Sequence, residues 1–531
     1  PINPSSSVDS GDNTNWFPAA AGIWYDDAWT RRMTITVDSS GVAETVSNFP
    51  VYLNLDDIPD EHDFWTRVQS DGGDIVITTD DMVSRLPVEV VSIDTVNKKG
   101  EVWFRAGLSG SEDTVFYLYY SNDGVEQPVA GDTYGRNNVW SNGYVAVWHL
   151  QESGNGTAGE FVDSTGNGND GTGGGAGATP AQWNGQLGNA QYFDPDTGGV
   201  DYIDCGADTT AAGVNKSFTA FTLQGWARYD DGDDGAIVAN GGGWGQDGYI
   251  VWNYTDTVRT EIDGVYVDSG ANLGTGAWRY LAATWDGTSV YVYEELTRTL
   301  SGTPAKTETL VGAQNCNIGR LANQPDSTRM DGLLDEVRIS DVARSQGWLA
   351  TEYNNQSSSS TFYDIGEGGA NGAFDVSGVI YTNEAKTANV GSGVTVALSV
   401  NGGAKTTTVT TAGGTFSFSD VVADPNDTLL IFIDDHVLHD ANLVTQCLAE
   451  GNHVTGLEMY TNKTVIRSET ANPVSNAVLA TADGSGDNDI RYSVTGSGPY
   501  DVTFNNSDEV WIAGLKTYKP QGGVTCHDLD V

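Results

Sequence analysis

The sequence predicts an all-β chain of tandem β-sandwiches, and three observations carry that prediction. Short runs alternate in polarity or are β-branched and aromatic, as in Met33-Thr34-Ile35-Thr36-Val37 and Val290-Tyr291-Val292-Tyr293, and Gly, Asn, Asp and Ser clusters bound them. Glycine supplies 66 of 531 residues with no collagen-like period, as in a chain that turns often. Amphipathic helical spacing is nearly absent, with short helical turns expected only near 345–353 and 440–448. Aromatics at 10% exclude a disordered chain. Many short strands joined by Gly-rich turns make sandwiches or barrels.

The elements follow in chain order. Residues 1–22 are a polar tail with Pro, Ser and Asn. Residues 23–142 form a first β unit. It carries Trp29-Thr30-Arg31-Arg32-Met33-Thr34-Ile35, Phe49-Pro50-Val51-Tyr52-Leu53, Arg85-Leu86-Pro87-Val88-Glu89, Val102-Trp103-Phe104 and Phe116-Tyr117-Leu118-Tyr119-Tyr120. That series resembles the domain-of-unknown-function 2341 family. The resemblance implies a β-sandwich that often precedes a laminin-G-like domain in bacterial and archaeal surface proteins, without known chemistry.

Residues 143–366 form a second, larger unit. Its marks are Val145-Ala146-Val147-Trp148-His149-Leu150, Asp163-Ser164-Thr165-Gly166-Asn167-Gly168-Asn169, Phe221-Thr222-Leu223-Gln224-Gly225-Trp226 and the closing Met330-Asp331-Gly332-Leu333-Leu334-Asp335-Glu336-Val337-Arg338-Ile339. The set resembles the laminin-G-like, concanavalin A-like jelly roll. Residues 372–435, with Val376-Ser377-Gly378-Val379-Ile380-Tyr381 and Gly413-Gly414-Thr415-Phe416-Ser417-Phe418, resemble the carboxypeptidase-regulatory type of immunoglobulin-like sandwich. Residues 436–531 are strand-like and read as the opening of a β-helix or another strand array.

Charge bounds the partners. Lys plus Arg is 25 and Asp plus Glu is 72, a net charge of -47. Such a chain is a poor ligand for nucleic acid or anionic lipid, and it favours calcium, cationic partners or a salty medium. No apolar run is long enough to span a bilayer. The start at Pro1 without a signal peptide is what a mature secreted chain shows after cleavage, so an extracellular or cell-surface setting is expected. The four Cys form no Cys-x-x-Cys motif. Cys205 with Cys316, and Cys447 with Cys526, are candidate disulfides in an oxidising medium.

Calcium is the expected cofactor. Ca²⁺ takes six to eight hard oxygens, and the 163–169 loop offers Asp163, Asn167 and Asn169. The laminin-G-like resemblance implies one structural Ca²⁺ near that loop, with Asp335 and Glu336 of the closing strand as further ligands. The acidic loops 194–201, 230–234 and 483–489 read as solvated turns, and so does the His436/His439 pair. Jelly rolls that bind sugars use exposed aromatics, and Trp183, Trp244, Tyr249 and Trp252 lie in Gly-rich or strand-edge context. Glucanases of this fold use a Glu-x-Asp-x-x-Glu strand. Here Glu261-Ile262-Asp263 begins one, but Gly264, Val265, Tyr266 and Val267 follow and the second Glu is missing. No other catalytic motif is present. The expected function is therefore a non-catalytic, extracellular, adhesin-like protein that binds glycans or neighbouring proteins and is braced by calcium. A subunit of an extracellular filament, sheath or surface layer, self-associating through the N-terminal tail, is the rival reading. A carbohydrate-active enzyme is disfavoured.

Overall fold

The computed structural model describes residues 24–26, 28–175, 177–195, 199–231, 234–241, 247–262, 265–270, 273–302, 314–322, 328–366, 369–370, 373–423, 427–447, 454–467, 473–483, 487–496, 498, 500–504, 509–512, 518, 520, 523–526 and 528–530. The tail at 1–22, and with it the strand it was expected to lend a neighbour, lies outside these residues. The chain packs as two compact units, one spanning Ala28–Gly368 and one built on Gly369–Val531.

The first unit opens with a two-sheet sandwich. Its strands are β1 (Arg31–Val37), β2 (Val46–Asn54), β3 (Val76–Thr79), β4 (Val88–Asp94), β5 (Lys99–Leu108) and β6 (Thr114–Tyr120). One sheet runs β1-β6-β3 and the other β2-β5-β4, all antiparallel. Alternation sets the faces: Met33, Ile35 and Val37 of β1 join Val51, Leu53, Val102 and Phe104 in one buried cluster.

The jelly roll follows. Its strands are β7 (Tyr144–Trp148), β8 (Thr172–Gly173), β9 (Ala181–Asn184), β10 (Asn189–Phe193), β11 (Ile203–Asp204), β12 (Phe221–Tyr229), β13 (Gly235–Ala239), β14 (Tyr249–Tyr254), β15 (Thr257–Ile262), β16 (Val265–Asp268), β17 (Arg279–Trp285), β18 (Val290–Glu294), β19 (Thr297–Gly302), β20 (Asn317–Ile318) and β21 (Gly332–Ser340). One sheet runs β19-β18-β17-β12-β21-β10-β9, with β7 also paired to β21, and the other runs β16-β15-β14-β13-β20-β11-β8. Trp148, Phe193, Leu223, Val251, Leu281, Trp285 and Val337 share the core of this sandwich.

The expected boundary at 142/143 is not a packing boundary. After β21 the chain enters the helix Gln346–Ser357, capped by Ser345, whose Oγ accepts from Trp348 N at 3.0 Å. Its buried face is apolar at Trp348 and Leu349 and polar after them. Asn355 bonds the backbone N and O of Tyr52 in β2 at 2.7 and 2.8 Å, as a neighbouring strand would, and Thr351 Oγ1 accepts from Ala43 N at 3.0 Å. A last strand, β22 (Tyr363–Ile365), then pairs antiparallel with β1. The end of the jelly-roll segment thus completes the first sandwich, and the buried cluster around β1–β6 takes in Trp226, Tyr280, Trp348 and Phe362.

In the second unit the strand Ala373–Tyr381 pairs antiparallel with Thr415–Val422 and parallel with Val454–Tyr460. The helical turn expected at 440–448 is instead the strand Asn442–Gln446. Its two faces enter two buried clusters, Leu443 in one and Val444 in the other, so the run Asn442-Leu443-Val444-Thr445-Gln446 gave no period to separate strand from helix. This strand pairs antiparallel with Thr428–Ile433 and parallel with Lys463–Ile466. Parallel pairing continues to Glu509–Ile512 and on to Asp528–Asp530, a ladder of the kind that forms one face of a β-helix. The sheet crosses residue 435 without a break, so the boundary expected there is absent from the packing.

Candidate functional site

A buried ionic cluster lies where the first sandwich meets the jelly roll. Strand alternation builds half of it. In β4 and β5, Glu89, Glu101 and Trp103 take the face opposite Val88, Val90, Val102 and Phe104, and Glu89 pairs directly with Trp103. The jelly roll supplies the rest from β21. There two residues, Glu336 and Val337, oppose the single Gly225 of β12 in a bulge, and Glu336 takes a left-handed φ of 52°. The bulge keeps Leu334 and Val337 in the core and turns Asp335, Glu336 and Arg338 together toward the first sandwich.

His149, just after β7, stands in the middle. Its Nδ1 is 2.6 Å from Glu336 Oε1 and 3.7 Å from Glu101 Oε1, and its Nε2 is 3.3 Å from Glu89 Oε2. Trp103 donates to Glu101 at 2.9 Å, and Ser164 donates to Glu89 at 2.6 Å. Arg338 donates to Glu336 and Glu352, and its guanidinium lies over the rings of Trp103 and Trp140. Burial pulls the His149 imidazolium down, but the carboxylates of Glu336 and Glu89 outweigh it and hold the group well above its ordinary value. Burial likewise raises Glu336, yet His149 and Arg338 hold it down at about 2. Burial, with the charge of Glu336 added, pushes Glu101 up to about 8 and lifts Asp335 well above the carboxylate range.

The hairpin of β9 and β10 covers this cluster from outside. Its tip closes with Gly185 N donating to Gly188 O at 3.0 Å. Both glycines sit against carboxylates. A Cβ on Gly185 would lie 2.6 Å from Asp335 Oδ2, and one on Gly188 would lie 3.0 Å from Glu101 Oε2 at a φ of +52°. Leu187 N donates to Asp335 Oδ2 at 2.9 Å. On its other side the tip borders a cleft of about 390 Å³ shared with the first sandwich. Asn54, Asp56, Asp94, Asn184, Gln186 and Asn189 line it with amides and carboxylates, Lys99 adds a cation, and Tyr52 and Ile93 add apolar surface.

One residue before Asn184, Trp183 is 56% exposed on β9, a strand exposed along its whole length. Register puts Trp183 and Tyr192 on one face, with ring centroids 5.9 Å apart. The Tyr192 phenol is raised from its ordinary value by burial and by the nearby charge of Asp230, which Arg228 Nη2 approaches at 3.1 Å. Two rings thus stand beside a carboxylate and a guanidinium.

The residues expected to hold calcium do not gather. Asp163 spends Oδ1 on Val147 N and Thr165 N, and Oδ2 on Thr165 Oγ1 and Asn169 N, at 2.8–3.1 Å. Asn167 and Asn169 turn their Nδ2 groups onto the Val145 carbonyl, each at 2.9 Å. Asp335 and Glu336 face Glu101 and His149 instead. The five positions fall in two groups, the 163–169 loop and the bulge of β21. Of the other three aromatics expected to meet a ligand, Tyr249 is fully buried and donates from its hydroxyl to Val214 O at 2.6 Å. Trp252 is fully buried too, packed with Ala236, Ala239, Ile250 and Leu321. Trp244 lies outside the described residues, as does Asp263 beside Glu261. Cys205 and Cys316 face each other where β11 pairs β20, with Cys205 N donating to Cys316 O at 2.8 Å, and both are buried free thiols.

Sequence reasoning missed Glu89, Glu101, His149, Arg338 and Glu352. Glu89 and Arg338 each stand between apolar residues on a strand, Val88-Glu89-Val90 and Val337-Arg338-Ile339, a pattern that a solvent-facing strand side shares. It also missed that two acidic loops meet. Asp435 N donates to Asp489 Oδ2 at 2.7 Å, and Lys405 Nζ lies 2.6 Å from Asp434 and 2.8 Å from Asp487, so this cluster has its own cation. His436 and His439 stack as a polar loop.

Residues 197–350 match the family model of the concanavalin A-like lectin/glucanases superfamily, of the laminin-G type. The middle of the chain is a concanavalin A-like jelly roll. No curated protein matches the sequence. Among solved structures, domain 4 of the extracellular arabinanase AbnA from Geobacillus stearothermophilus, solved with arabinotriose, is 20% identical. The match covers 40% of this chain and 98% of that one, with a TM-score of 0.31. The CBM40 of the Ruminococcus gnavus IT-sialidase, bound to α2,3-sialyllactose, is 10% identical over 26% of this chain and 83% of that one, at 0.23. The heptameric SAP-like pentraxin of Limulus polyphemus is 15% identical over 25% and 69%, at 0.22. Among the described residues no helix is long and apolar enough to cross a membrane.

Proposed function

We propose that this is a non-catalytic, extracellular saccharide-binding protein, and that the cleft at the β9–β10 tip, with Trp183 on its flank, is the binding surface. The observation that carries the reading is Trp183, a large aromatic 56% exposed on a strand whose next residue, Asn184, lines a polar cleft. An exposed ring beside convergent polar groups suits a sugar, which presents one apolar face and a rim of hydroxyls. Strong negative charge favours a neutral or cationic saccharide over an acidic one. The non-catalytic part of the reading rests on the strand at Glu261, whose sequence lacks the second Glu of the glucanase pattern.

The test is a glycan array probed with the full chain and with Trp183→Ala. Retention of a defined glycan class by the wild type, lost in the variant, supports the reading. Because Trp183 is largely exposed, the variant keeps the wild-type melting temperature. Release of reducing sugar by the wild type would overturn the non-catalytic part.

A further inference from the structure

The junction beneath the cleft carries a property independent of saccharide binding. Three donors from three separate elements converge there: the Glu101 carboxylate of β5, His149 Nδ1 after β7, and the Glu336 carboxylate of β21, with ligand atoms within 4.8 Å of one another. All three are buried, at 1%, 5% and 1% exposure. Nδ1 lies 2.6 Å from Glu336 Oε1 and 3.7 Å from Glu101 Oε1. These separations bracket the roughly 3.4 Å between two ligands that each sit about 2.0–2.2 Å from one tetrahedral ion.

A second observation points to a missing partner. Glu101 Oε2 has no hydrogen-bond partner, although the residue is 1% exposed and its other oxygen faces His149. Asp335 Oδ1, beside it on the bulge, is equally bare. Folded proteins rarely leave buried carboxylate oxygens unpaired. The charges are also unequal: Glu89, Glu101, Asp335, Glu336 and Glu352 surround only Arg338 and His149.

We propose that Glu101, His149 and Glu336 bind a divalent transition-metal ion of the Zn²⁺ class. One imidazole nitrogen with carboxylate oxygens suits such an ion, whereas Ca²⁺ takes an all-oxygen set of six to eight. Glu89 prepares the histidine. An Nε2–H donated to Glu89 Oε2, 3.3 Å away, leaves the Nδ1 lone pair for the ion. The surplus of carboxylates around the site offsets the charge that the ion brings. The ion would tie β5 of the first sandwich to β21 of the jelly roll.

The test uses the full chain, stripped by chelator and titrated with Zn²⁺ by calorimetry. The proposal expects one Zn²⁺ per chain at this site, a higher melting temperature with the ion, and at least a tenfold loss of affinity in Glu101→Gln. The double variant His436→Gln, His439→Gln, in the surface loop of the other unit, keeps full affinity. If Glu101→Gln fails to fold, electron paramagnetic resonance of the Cu²⁺-loaded wild type decides: one coordinated nitrogen that persists in the double variant supports the site. No stoichiometric binding, equal affinity in a folded Glu101→Gln, or an oxygen-only Cu²⁺ spectrum would overturn it.

Discussion

Arg338 bridges two carboxylates from different elements, Glu336 on β21 and Glu352 on the helix, and its guanidinium rests on Trp103 and Trp140. Arg338→Met leaves those carboxylates buried without their cation, and breaking one side of a buried ion pair costs about 3–5 kcal/mol. Urea unfolding should show that loss, and a variant as stable as the wild type would mean that the network contributes little. At this scale the sequence was only partly legible. Alternation correctly places Leu281 or Val251 in a core, but it does not say what covers a strand's outer face. Tyr249 shares the core face with Val251, and Trp252 faces the other way yet is buried there as well. Trp183 was legible as a strand-edge aromatic, and the structure leaves it exposed.

The helix Gln346–Ser357 and the β9–β10 tip are the elements that position the candidate site. Ser345 made the helix start legible, but its full length was not, because beyond Trp348 and Leu349 its buried positions are Thr351, Glu352, Asn355 and Gln356 and continue no apolar stripe. Side-chain hydrogen bonds therefore add to the apolar packing of its first turn. Asn355→Ala strips Tyr52 of two partners and should cost about 2–4 kcal/mol, while Ser345→Ala removes one cap and should cost about 1 kcal/mol. Chemical denaturation of both variants checks that order, and equal effects would contradict it. The strand Asn442–Gln446 shows the opposite failure, because Asn442-Leu443-Val444-Thr445-Gln446, buried on both faces with only two adjacent apolar residues, carries no usable period.

Over the whole molecule, the all-β class, the jelly roll and the break near 366–372 were legible from strand patterning, the closing 330–339 motif and the Gly-rich run, while the joining of the first two segments into one unit was not. Segments far apart in sequence close one sheet, as β22 does on β1, and pairing between distant residues leaves no local mark. A net charge of -47 strains any compact chain through self-repulsion. Raising salt from about 10 mM to about 1 M screens that repulsion and should raise the melting temperature in scanning calorimetry, and a fall would contradict the charge argument. The central claim is that the cleft and Trp183 form a saccharide surface. Its most direct test is isothermal titration of the best array glycan into the wild type, Trp183→Ala and Asn184→Ala. The account predicts saturable binding to the wild type, weakened at least about tenfold, or ~1.4 kcal/mol, by Trp183→Ala and measurably by Asn184→Ala. Binding of equal strength in all three proteins would contradict it.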